Sequence, residues 1–222
     1  MSQSNRPCII WGATGQCRVV CDILLSEGCE ILHLFDNNYN LRSPFPGIPL
    51  SYGVKGFNLF VDSLQSLGKR TNEIDFVVAV AGGNSKSREK YGNLFHAAGF
   101  MSRRVIHPSA VVSPLASIGH GVQIMAAAHI GAFAHVSEGT IVNSMANIDH
   151  DCRLGRYCHV APCAALAGQV ILQDHVFVGT NATILPNLRI GTEVIVGAGA
   201  VVTKDVLSQS IVVGSPAKPM VE

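Results

Sequence analysis

Three consecutive residues, Asp149-His150-Asp151, hold the most reactive combination in the chain. A neutral imidazole takes up a proton near pH 7. A carboxylate on its other nitrogen fixes the tautomer and supports the imidazolium that forms. Such a pair can deprotonate an amine or hydroxyl as it attacks an electrophile. A histidine on a solvated turn is the plainer alternative. Cys152 and Cys163 offer a second chemistry, a thiol nucleophile that would carry a covalent intermediate. A third feature is Gly12-Ala13-Thr14-Gly15, which follows the apolar run Ile9-Ile10-Trp11 and precedes a helical one. Backbone N–H groups at a helix start attract phosphate oxygens, and glycine admits a close approach. Against the pattern GxGxxG, Thr14 and Cys17 stand in for the second and third glycines. That favours a shorter nucleotide group over a dinucleotide. A simple strand–helix turn is the competing reading. Asp36 ends the second apolar run, where a carboxylate can meet a ribose or a base.

The elements that must position these groups differ between the two halves. From Ile106 to Val202 an aliphatic residue recurs every six positions, seventeen times in succession. Four residues after each comes a second position, mostly small, such as Ala110, Ala128, Ala146, Cys152, Cys158 and Ala164. Glycine often follows the aliphatic residue, as at Gly119, Gly131, Gly155 and Gly179. This pattern predicts short parallel strands joined by tight corners, with both registers pointing inward. Cys152 and Cys158 then face the interior, which removes Cys152 as a nucleophile. His150 and Asp151 fall on a corner between Ile148 and Cys152.

The first half reads as alternating strands and helices. Strands are expected at 7–11, 30–35 and 74–81. Helices are expected from Arg18, over 58–67 and over 85–98, with a long loop across Tyr39–Arg70. This pattern predicts a small doubly wound α/β domain over residues 1–105, with the repeats occupying 106–222.

Charged residues are 14% of the chain, the formal net charge is +1 and 48% of residues are hydrophobic. A well-cored globular protein follows, with no basic cluster for nucleic acid or an anionic membrane. No apolar stretch reaches membrane-spanning length, and the polar lead MSQSN does not resemble a signal peptide. Seven cysteines without a CxxC pair suit free thiols in a reducing cytoplasm, so a cytoplasmic location is expected.

A hexapeptide repeat of this kind resembles the left-handed parallel β-helix of the hexapeptide acyltransferases, in which eighteen residues complete one triangular coil. GATGQ, IHPSAVVSPLASIG, IDHDCRLGRYCHVAPCAALAG and the closing VVTKDV…VVGSPAKPM together resemble a narrower group. It is the bacterial sugar acyltransferase family of sialic acid O-acetyltransferase and UDP-4-amino-sugar N-acetyltransferase. The resemblance implies acetyl-CoA as cosubstrate, no metal and homotrimers with intersubunit sites. It implies His150 as general base oriented by Asp151, with His159 beside the acetyl-CoA. The N–H of Gly168 would bind the thioester oxygen, and Thr180 and Ala198 would lie along the pantetheine arm. Thr14, Gly15 and Gln16 would hold the nucleotide, with further contacts from Asp36, Asn37 and Gly83. Gln16-Cys17 differ from the His-Gly usual after the second glycine.

The coil length supplies a check of its own. His150 and Gly168 differ by eighteen and therefore stack on one corner, roughly 4.8 Å apart. Thr180 and Ala198 also differ by eighteen and share another corner. The nucleotide-like first domain favours a nucleotide-linked 4-amino-4,6-dideoxy sugar, with UDP ahead of GDP or dTDP. Three other readings compete. O-acetylation of sialic acid keeps the chemistry and changes the acceptor. A non-catalytic sugar-nucleotide scaffold would not need the His150-Asp151 pair. Zinc carbonic anhydrases also form trimeric β-helices, but they use two histidines five residues apart. No two of His107, His120, His129, His135, His150, His159 and His175 have that spacing.

Overall fold

The computed structural model describes residues 6–220; the polar lead at 1–5 lies outside them. The chain divides into two compact units. One comprises residues up to Val80 together with Ser87–Arg103; the other comprises Ala81–Lys86 and the chain from Arg104 onward. The boundary thus falls two residues before the expected one, and the segment holding Gly82 and Gly83 groups with the repeats.

The first unit is built on strands β1 (Cys8–Trp11), β2 (Ile31–Asp36), β3 (Leu50–Tyr52), β4 (Asp75–Val78) and β5 (Met101–Ser102). They form one parallel sheet in the order β3-β2-β1-β4-β5. β1 and β4 are buried at every residue, which is why β1 and, after the Arg103-paired Asp75, β4 read as apolar runs rather than alternating ones. Helix α1 (Gly15–Ser26) buries Cys17, Val20, Cys21 and Leu24, the i, i+3, i+4, i+7 stripe of a core-facing helix. The Cys17 and Cys21 sulfurs lie 3.7 Å apart on that face.

The expected long loop over Tyr39–Arg70 is instead partly ordered. It contains β3 and helix α2 (Gly53–Ser66). β3 has three residues, too few to show alternation. α2 covers most of the helix expected over 58–67 but starts at Gly53; it opens with Gly-Val-Lys-Gly, and the two glycines in that first turn hide the earlier start. Helix α3 (Ser85–Ala97) lies where it was expected.

The second unit carries seventeen two-residue strands, β6 (Val105–Ile106) to β22 (Val201–Val202), then β23 (Ile211–Val213) and β24 (Lys218–Pro219). Every third strand pairs in parallel, so Ile130, Ile148, Leu166 and Ile184 follow one another at eighteen-residue intervals. Three sheets result, and they enclose a core of the aliphatic and small registers.

The corners have a register of their own. From 121 to 199 every sixth residue has positive φ; three are glycines and the rest, Asp151 at +59° and Gln169 at +65° among them, are not. A non-glycine residue pays about 1 kcal/mol or more for this conformation. The corner offsets it by stacking: from Gly139 to Gly199 the N–H of each such residue donates to the carbonyl of the corner one coil below. Asp151 N to Ala132 O and Gln169 N to His150 O are both 3.0 Å. Among the residues just before a positive-φ position, His150, Gly168, Thr180 and Ala198 make no such bond through their own N–H.

Candidate active site

His150 occupies that preceding corner position and Asp151 the positive-φ one. The backbone turn brings the Asp151 carboxylate back onto its neighbour, and His150 Nδ1 lies 2.8 Å from Asp151 Oδ2. Nδ1 donates there when the ring is neutral, so Nε2 carries the free lone pair. Asp149 Oδ1 accepts the His150 N–H at 2.7 Å. Two carboxylates therefore flank the imidazole. They raise its pKa above the ordinary histidine value, through the Asp151 hydrogen bond first and the Asp149 charge second. Both side chains of the pair are about half exposed, at 54% and 48%, so a substrate can reach them. A depression of about 500 Å³ lined by Phe133, Asp151, Arg153, Gln169 and Ile171 opens beside them.

Gly168 lies one coil away, and the imidazole covers it. A Cβ added to Gly168 would stand 2.6 Å from His150 Nε2 and 2.7 Å from Cε1. Glycine is required here by the ring rather than by φ. The Gly168 N–H has no acceptor among the described residues. A free base nitrogen and a free backbone donor thus sit on one corner, which is what a nucleophile and a developing oxyanion need together.

Thr180 and Ala198 share the other predicted column, linked by Gly199 N to Thr180 O at 2.8 Å. Both are exposed, and neither N–H has an acceptor among the described residues. The same column carries Ser144, whose N–H donates to Asn143 Oδ1 at 2.8 Å, and Pro162, which has no N–H, so the open donors among these four are those of Thr180 and Ala198.

Opposite the core-facing Val160, His159 lies on the outward register of its strand. It is 4% exposed, because Ala81–Lys86 packs over its strand. Its Nδ1 lies 2.9 Å from Gly82 N and its Nε2 3.2 Å from Asn143 Nδ2. Lys86 pairs with Glu193 at 2.9 Å and fastens the other end of the segment. The period could not reveal a partner 77 residues away. Cys152 faces inward as expected; burial pushes its thiol up to about 11, which keeps it protonated. Cys163 is exposed. Among the described residues no group of three His, Cys, Asp or Glu side chains could hold a metal ion.

In the first unit the glycine turn is open. Thr14 caps α1 without a side-chain hydrogen bond, and both Thr14 and Gly15 are exposed. A Cβ on Gly15 would meet nothing within 4 Å. Gly12 is fixed differently: its φ is +109° and a Cβ would lie 2.5 Å from Ala79 O. Asp36 braces the turn. Its Oδ2 accepts the Ala13 N–H and its Oδ1 the Asn38 N–H, at 2.8 and 2.9 Å. Asn37 donates to the Tyr91 hydroxyl at 2.6 Å. Gln16 is buried, since α1 begins at Gly15 rather than at Arg18 and turns that side chain under the helix.

Comparison with known proteins agrees with this arrangement. Residues 8–94 match the model of the PglD N-terminal domain, and residues 169–204 match that of the bacterial transferase hexapeptide (six repeats). PerB of Caulobacter crescentus, solved with CoA and GDP-perosamine, is 34% identical with a TM-score of 0.85 over 97% of each chain. The acetyltransferase domain of PglB from Neisseria gonorrhoeae, solved with acetyl coenzyme A, is 33% identical with a TM-score of 0.84, over 98% of this chain and all of that one. The chain belongs to the hexapeptide-repeat sugar acetyltransferase family.

Its architecture is that of the family, an α/β domain followed by a left-handed parallel β-helix. A stretch of 72 residues is 44% identical to 2,3,4,5-tetrahydropyridine-2,6-dicarboxylate N-acetyltransferase of Staphylococcus aureus. The match covers 29% of this chain and 30% of that enzyme. No helix among the described residues is long and apolar enough to cross a membrane.

Proposed function

We propose that this family member is an acetyl-CoA-dependent N-acetyltransferase. It acetylates the C4 amine of a nucleotide-linked 4-amino-4,6-dideoxy sugar by direct attack, with His150 as general base. The observation that carries this reading is the imidazole held at Nδ1 by Asp151, with Nε2 over Gly168. The amine nitrogen attacks the thioester carbonyl and gives its proton to Nε2. The resulting imidazolium lies between Asp149 and Asp151. The Gly168 N–H takes the charge that builds on the carbonyl oxygen. The C–S bond then breaks and CoA leaves as its thiol, using the proton held by His150. The open N–H groups of Thr180 and Ala198 would take carbonyl oxygens of the pantetheine arm. His159 acts through the segment it buries. No acyl-enzyme is needed, in keeping with the raised Cys152 thiol.

The open Thr14-Gly15 turn suits a diphosphate, with Asn37 beside it and Asp36 and Gln16 in support. Gly83, where a Cβ would meet nothing within 4 Å, leaves room for a ligand against the backbone. The sequence resemblance favours UDP, and the GDP-perosamine bound by PerB brings GDP level with it. The enzyme is a homotrimer with intersubunit sites and works in the cytoplasm on precursors of surface glycans. The test is release of CoA thiol from acetyl-CoA with UDP-, GDP- and dTDP-linked 4-amino sugars and with free sialic acid. Turnover with one of the amino sugars is expected. Turnover with sialic acid alone would overturn the N-acetyl assignment, and sedimentation as a monomer would overturn the trimer.

A further inference from the structure

The loop beyond β2 carries an aromatic ring that the fold of its own unit does not use. Tyr39 is 71% exposed, although it sits in a well-braced segment. Three observations fix it. Asp36 accepts the Asn38 N–H, and Asn38 Oδ1 accepts the Asn40 N–H at 3.0 Å, so two side chains turn the backbone around Tyr39. One side of the Tyr39 ring stacks on Tyr52, with centroids 5.3 Å apart and planes 27° apart. Tyr52 is itself held, its hydroxyl donating to Leu41 O at 2.6 Å. The ring also lies across Gly53, where a Cβ would be 3.3 Å from the Tyr39 hydroxyl oxygen.

The same Asp36 carboxylate that turns this loop also holds Ala13 in the glycine turn. Three residues of extended chain span at most about 10 Å. Tyr39 therefore lies at the same end of the parallel sheet, just beyond β2, as the turn beyond β1 proposed to take the phosphates. We infer that Tyr39 is a stacking platform for the nucleobase of the sugar nucleotide, with Tyr52 as the positioning residue beneath it. This rests on the nucleotide-sugar reading and names a residue that selects for a base. An aromatic face accepts any base, and edge contacts from the exposed Asn37 and Asn38 would then discriminate among bases.

Titration calorimetry with UDP, GDP, dTDP and inorganic pyrophosphate tests this on the intact protein. Tyr39→Ala is expected to raise the Kd of the preferred nucleoside diphosphate about tenfold or more, since base stacking is lost. It leaves the pyrophosphate Kd and the melting temperature unchanged. Tyr39→Phe and Tyr39→Trp, which keep the π face, bind within about threefold of wild type. An unchanged nucleotide Kd in Tyr39→Ala would overturn this inference and leave the acetyltransferase reading intact. An equal loss for pyrophosphate would also overturn it. Failure of wild type to bind any nucleoside diphosphate would remove both.

Discussion

The two units place their functional groups by different means. In the β-helix, position follows from counting. Each residue is tied to those eighteen before and after it by a backbone ladder, so His150 must lie against Gly168 and Thr180 must lie in line with Ala198. In the α/β unit, position follows from side chains that reach across the sheet, such as Asp36 to the Ala13 N–H or Asn37 to Tyr91. The first arrangement is rigid and indifferent to what its corners carry. The second depends on individual polar contacts. On the proposed function, chemistry that needs close placement would fall on the counted half, and nucleotide recognition, which tolerates adjustment, on the braced half.

The comparison is sharpened most by His150→Ala. The corner needs no particular side chain there, so the protein folds and melts as wild type. The reaction loses its base, and kcat is expected to fall about 10²–10⁴-fold. Steady-state thiol release with a melting curve on the same sample checks both; near wild-type turnover would remove the base assignment.

Gly168→Ala comes next. Its backbone accepts alanine, but the methyl would displace the imidazole it meets at 2.6 Å. A shift of that kind costs about 10²-fold in kcat. Unchanged activity would mean that the ring is not held over Gly168 during turnover. Asp151→Asn keeps a residue that tolerates positive φ and removes the charge. An expected loss of about tenfold in kcat/KM comes with a change in pH profile. His150 must be neutral to act, so activity rises with pH through its pKa. In wild type that pKa is raised by Asp151 and Asp149, which sets the rise above the ordinary value of about 6.5. In Asp151→Asn the rise moves to lower pH, and an unmoved limb would show that Asp151 does not act on this ring.

The smallest effect is expected in the braced half. Asp36→Asn keeps one acceptor and loses the charge that holds two N–H groups. The KM for the sugar nucleotide should rise several-fold, while kcat and the KM for acetyl-CoA stay as they were. An equal change in both KM values would break the division between the units.

How far the molecule could be read from its sequence follows the same division. The coil register, the inward cysteines and the stacking of His150 on Gly168 all came from a six-residue period, because the backbone ladder enforces that period. The positive φ of Asp151 did not, since the corner register carries alanine, phenylalanine, glutamine and asparagine alike. Nor did the hydrogen bond that the His150 N–H donates to Asp149 Oδ1. The burial of His159 was not legible either, because a strand's outward position says nothing of a segment that covers it. In the α/β unit the strands and helices were legible where burial is continuous, as in β1 and β4. β3 and the first turn of α2 were not legible, because β3 is short and α2 begins with glycines. Tyr39 left no periodic trace at all; its environment depends on Tyr52, which the chain brings to it only through β3.

The coil also acts as a ruler. An insertion of eighteen residues between Gln169 and Gly179 would carry Thr180 and Ala198 one strand spacing farther along the axis without turning them, and the path from His150 to the far end of the acyl donor would lengthen by about 4.8 Å. An insertion of six would turn the same residues onto another face and part them from the base altogether. Along this axis distance and direction can be changed separately, so the reach of the site is adjustable in whole coils while its chemistry stays where it is.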